Sequence, residues 1–143
     1  MFNPSRDQVR TFFIESWRKH REREVLTQLE ALACQLIEHH PEYHSIIEDP
    51  DSVDRDFAPE DGQVNPFLHL SLHLAIEEQL SIDQPPGLRA AFDTLCQRHG
   101  DRHAALHDVL ECLGETIFNA QRAGSPPDGA AYLSSVCRRA SLP

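Results

Sequence analysis

Along this chain, stretches in which apolar residues recur every three or four positions alternate with short breaks rich in proline, glycine and acids, the pattern of amphipathic helices joined by turns. In "PSRDQVRTFFIESWRKH", Val9, Phe12, Phe13 and Trp17 share a helical face behind Ser5 and Gln8, which have the spacing of a capping box. "TQLEALACQLIEHH" repeats the device, with Thr27 and Glu30 as the pair and Leu29, Leu32, Ala33, Leu36 and Ile37 as the stripe. Pro41 then opens a short helical turn, "PEYHSIIED".

The pattern dissolves over residues 49–64, an acidic loop that is long for a connection inside one domain. Asn65 and Pro66 suit the cap and first position of a helix reaching about Ile82. Pro85, Pro86 and Gly87 separate it from "LRAAFDTLCQRH", which Gly100 ends. Asp101 caps a long helix closed by Gly124, and residues 125–143 carry a last helix after "SPPDG". No stretch shows strand alternation and no repeat of solenoid length occurs. The expectation is an all-α, single-domain irregular bundle spanning 1–143, with about five to seven helices.

One helix has an unusual face. His69, His73 and Glu77 are each four residues apart and fall on one line, flanked by Leu70, Leu74, Ile76 and Leu80, whereas Ser71 and Glu78 lie well away. The long helix repeats the order with His103, His107 and Glu111, bordering Leu106, Val109, Leu110, Leu113 and Ile117 on the side of Gly114, whose missing side chain would let another helix approach. Histidines at i and i+4 can reach one metal ion, and carboxylates complete borderline or hard sites. The six residues are therefore candidate ligands for a divalent metal: zinc, iron or manganese. "HLSLH" lacks the glutamate that acts as general base in metalloproteases, and no Glu-x-x-His of the di-iron bundles is present. The structural alternative is a polar network in which, for example, His73 pairs with Glu77.

Composition narrows the choice. A formal charge of −10 sets aside a nucleic-acid backbone binder. The basic run at residues 18–23 belongs at a helix carboxyl end, where cations suit the dipole. Cys34, Cys96, Cys112 and Cys137 include no Cys-x-x-Cys pair, and the first residues lack an apolar signal core, so a reduced, cytoplasmic setting is expected. No run approaches the roughly 18 apolar residues of a membrane span.

The remaining candidates are weaker. His39, His40 and His44 either complete a metal site or cap a helix end, and capping is the commoner role. Cys96 and His99 form a lone Cys-x-x-His without a second pair. Asp49, Asp51, Asp54 and Asp56 lack the glycine and closing glutamate of a calcium loop. Phe12, Phe13 and Trp17 have core spacing, and neither a phosphate-binding glycine loop nor a nucleophile elbow is found.

The segments "MFNPSRDQVR", "HPEYH", "NPFLHLSLHLAIEEQLSIDQPPG", "ECLGE" and "PPDG" resemble a bacterial family known as domain of unknown function 1841, over essentially the whole chain. The resemblance implies a small standalone bacterial protein and brings no activity, cofactor or partner. Two readings follow. One is a metal-binding helical protein built on the two histidine faces, to which an open coordination position beside the 49–64 loop would add hydrolytic or redox chemistry. The other is a non-catalytic module with structural histidines that binds a protein partner; either can form a homo-oligomer.

Overall fold

Local capping sets where most helices begin. The structure, a computed structural model, describes residues 5–57 and 65–141. Among these residues there are seven α-helices and no strand: α1 Arg6–Arg21, α2 Gln28–Glu38, α3 His44–Ile47, α4 Pro66–Ile82, α5 Leu88–His99, α6 Arg102–Ala123 and α7 Gly129–Ser141. The all-α expectation holds. Both capping boxes form in full, the Ser5 and Thr27 side chains accepting from the Gln8 and Glu30 backbone and those side chains accepting in return. Asn65 Oδ1 accepts from the amides of Phe67 and Leu68 at 3.0 and 3.2 Å. Asp101 does the same for His103 and Ala104, both at 3.2 Å. No described helix is long and apolar enough to cross a membrane.

The chain divides into two compact units between Leu74 and Ala75, inside α4. In the first, the α1 stripe of Phe13, Ile14 and Trp17 is buried with Ala33, Cys34, Leu36 and Ile37 of α2, Ile47 of α3, and Phe67 and Leu70 at the start of α4. Leu29, counted on the α2 stripe, is instead exposed, because it lies in the first turn, before the helix reaches the core. The basic end of α1 is balanced by acids: Arg18 holds Glu15, Glu22 and Glu24, and Lys19 meets Glu30 at 2.9 Å.

The 49–64 segment differs from the loop expected at its near end. Asp49 caps a 3₁₀ turn, Pro50–Asp54, and Ser52 is buried. The cause is Arg10, a buried guanidinium on α1 whose Nη1 donates to the carbonyls of Ser52, Val53 and Arg55 at 3.3, 3.0 and 2.7 Å and which lies over the rings of Phe57 and Phe67. Residues 58–64 of that segment lie outside the described residues.

In the second unit α5, α6 and α7 pack pairwise around Leu88, Phe92, Leu95, Leu106, Val109, Leu113 and Val136. Gly100 and Gly124, both at φ +67°, end α5 and α6 in the left-handed conformation that glycine adopts without penalty. Arg89 closes the end of α4 by donating to the carbonyls of Leu80 and Ser81 at 2.9–3.0 Å. The close helix approach expected at Gly114 is not found: among the described residues, a Cβ there would meet nothing within 4 Å.

Candidate metal centre

The cluster begins with α4. A helical turn puts His69 and His73 on one line, and their rings meet edge to face with centroids 4.7 Å apart and Nε2 atoms at 3.1 Å. His73 is fully buried and His69 half-buried. The third imidazole comes from elsewhere in the chain. α2 ends at Glu38, and the next turn presents His40, 3% exposed, with its Nε2 at 3.1 Å from Nε2 of His69. One ring nitrogen from each of the three histidines lies within 4.8 Å of the other two.

The other face of His40 settles its tautomer. Nδ1 sits 2.7 Å from the carbonyl oxygen of Leu36, and since a carbonyl only accepts, Nδ1 carries the proton. In a neutral ring that leaves Nε2 as a lone pair facing the cluster. The same bond satisfies a carbonyl left open at the end of α2, while His44 Nε2 serves the Ile37 carbonyl at 2.9 Å. His40 is thus a cap and a member of the cluster together. Tyr43 lies flat on His40, with centroids 5.2 Å apart and planes within 2°, and meets His69 edge-on at 5.8 Å. Burial, with Glu42 beside it, pushes the Tyr43 phenol up, so its ring is neutral at physiological pH.

These contacts constrain what can sit among the rings. If His40 offers a lone pair, His69 must direct an Nε2 proton toward it, and that one proton then also faces His73 at 3.1 Å. A shared proton spread over two acceptors is a weak arrangement. A cation among the nitrogens satisfies every lone pair directed at it. Tetrahedral zinc with Zn–N near 2.0–2.1 Å would hold its nitrogens roughly 3.4 Å apart, close to the two 3.1 Å contacts.

Of the six residues singled out in sequence, His69 and His73 belong to this cluster. The carboxylates are engaged elsewhere. Glu77, 15% exposed at its side chain, is gripped through both oxygens by Arg102 at 2.9 and 3.0 Å, and Arg102 also lies over Phe92. A largely buried carboxylate needs close countercharge, and a bidentate guanidinium supplies it with matching geometry. Glu111 is exposed and pairs with Arg139 at 2.6 Å. In the second unit, His103 and His107 are half-buried and their rings meet in a tilted contact, planes at 57° and centroids 4.3 Å apart, as their spacing predicts.

Sequence reading gave His40 a capping role and left the metal role open. The signal that it faces inward was its register with Ala33 and Leu36, both buried. The remaining candidates are accounted for by packing. Phe13 and Trp17 are buried, with the indole N–H donating to Glu48 at 3.1 Å. Cys34 donates to the Ser16 carbonyl, and burial pushes its thiol up to about 11, which makes it unreactive. His99 Nε2 meets Asp108 at 2.5 Å instead of joining Cys96. All four cysteines are free thiols.

Residues 5–138 match the model of the family described as "Domain of unknown function (DUF1841)". No curated protein and no solved structure matches the chain.

Proposed function

We propose that this chain, which belongs to the DUF1841 family over nearly its whole length, is a metal-binding helical protein in which His40, His69 and His73 take one divalent cation through their ring nitrogens. The observation that carries the reading is the convergence of three imidazoles, two of them buried, through two Nε2 contacts of 3.1 Å. Imidazole donors suit zinc and iron, whereas manganese prefers oxygen. With Glu77 and Glu111 held by arginines, zinc or iron(II) is the better match among the metals considered. The Leu36 carbonyl on Nδ1 of His40 has the character of the outer partner that orients a ligating histidine and raises its basicity.

Such an ion would join the end of α2 to α4 and contribute directly to folding stability, since no comparable site exists in an unfolded chain. The test is elemental analysis of untagged protein purified without chelator, beside a His69→Ala/His73→Ala variant. About one equivalent of metal in the wild type and none in the variant is expected, and chelator should lower the melting temperature of the wild type alone. Glu77→Gln should retain its metal, because that carboxylate serves Arg102. A well-folded wild type without metal, even after supplementation, defeats the reading and leaves the protein-interaction module.

A further inference from the structure

We propose that Tyr43 is a positioning residue for this centre: its ring, flat on His40 and edge-on to His69, holds both imidazoles in the planes that aim their Nε2 atoms at one point. The inference rests on the metal-binding reading above and adds to it a residue with no donor atom in the cluster.

The local sequence explains how Tyr43 comes to lie there. Pro41–Tyr43 form a single 3₁₀ turn with His40 as its flanking residue, and the Tyr43 amide donates to the His40 carbonyl at 2.9 Å. His40, at φ −129°, stands just outside the turn, and its carbonyl closes the turn onto the Tyr43 amide, which keeps the two residues close. Pro41 pre-sets the first φ of the turn. The outcome is a parallel stack with planes within 2°, at a centroid separation of 5.2 Å that belongs to offset stacking.

An imidazole held by one hydrogen bond can still turn about the axis of that bond. The Leu36 carbonyl fixes the direction of Nδ1 in His40, and the flat face of Tyr43 fixes the plane of the ring. With both set, the direction of Nε2 follows. His69 stands edge-on to both aromatic neighbours, at 74° to His40 and 73° to Tyr43, so the tyrosine walls two of the three rings. It does so from a half-buried position at the margin of the core.

The decisive variant removes the plane and keeps the bulk. Tyr43→Leu should weaken binding of zinc about 10-fold or more, the range seen when outer-shell partners are lost, and should alter the visible ligand-field spectrum of the cobalt(II)-substituted protein. Tyr43→Phe should match the wild type in both, since the ring and not the hydroxyl acts. Should circular dichroism show the leucine variant unfolded, Tyr43→Met takes its place with the same expectation. A folded leucine or methionine variant with wild-type zinc affinity and cobalt spectrum overturns the role of Tyr43 and leaves the metal site standing. A lowered melting temperature without a change in affinity or spectrum overturns it too, because it reports packing alone. Absence of zinc and cobalt binding in the wild type overturns both inferences.

Discussion

Replacing Arg10 by alanine tests how the first unit holds the segment between α3 and α4. Arg10 is 4% exposed and its Nη1 donates to three carbonyls, with the bonds to Arg55 and Val53 at 2.7 and 3.0 Å the shortest. Hydrogen bonds from a charged donor contribute roughly 1.5–3 kcal/mol each, so the two shorter ones represent at least about 3 kcal/mol. Stacking on Phe57 and Phe67, at 5.6 and 5.0 Å, adds to this, on the order of 0.5–1 kcal/mol per ring. The alanine variant no longer has to dehydrate a cation, and burial already depresses the Arg10 pKa; that relief offsets roughly the stacking term. The expected net loss is about 3 kcal/mol, which at a slope near 2 kcal/mol/M lowers the urea midpoint by about 1.5 M. Trp17, the one tryptophan of the chain, is buried in the same unit and reports unfolding by fluorescence. Arg6→Ala is the control: its side chain is 52% exposed and its contacts are long, so a change of at most about 0.5 kcal/mol is expected. If Arg10→Ala unfolds within about 0.5 kcal/mol of the wild type, the carbonyls it caps are hydrated equally well by water and the clamp argument fails.

Further outcomes follow from caps and turns. The Glu30 carboxylate is held below its usual range, first by the hydrogen bond from Lys19 and then by the Thr27 amide. Its stabilising effect is therefore complete above the unfolded value of roughly 4.3 and disappears as pH falls through the lower folded value. Glu30→Gln should flatten the acid limb of the stability–pH curve measured through Trp17, and a limb as steep as the wild type's would count against the assignment. Gly87 has φ +101°, and a Cβ there would lie at an ordinary 3.7 Å from Leu133 Cδ2. The cost of Gly87→Ala is thus backbone strain of about 1–2 kcal/mol, read by thermal melting and refuted by a neutral result. Gly114→Ala, mid-helix with open surroundings, should instead stabilise by up to about 1 kcal/mol in the same assay.

What was legible in the sequence depended on the reach of the interaction involved. The Ser5 and Thr27 boxes, the Asn65 and Asp101 caps and the Gly100 and Gly124 stops all act within a few residues, so pattern alone located them. The pairing of His69 with His73, and of His103 with His107, is likewise a property of one helix. The fates of Glu77 and Glu111 were not legible, because a side chain's position on a helix face does not say which cation a neighbouring helix will bring to it. Arg102 and Arg139 decided that. Arg10 was missed for a related reason: it lies three residues before Phe13 on the buried face, but a charged residue reads as solvent-facing until the carbonyls that receive it are known.

Taken alone, the sequence determined the helices, their ends and the two histidine pairs, since helical periodicity and capping are local physics. Only the tertiary structure joined His40 to His69 and His73, the first two lying 29 positions apart along the chain. It also committed the carboxylates to arginines and turned part of an acidic loop into a clamped 3₁₀ turn. Those outcomes depend on which buried charges and lone pairs must be satisfied when distant segments meet, and that requirement appears only once the chain has packed.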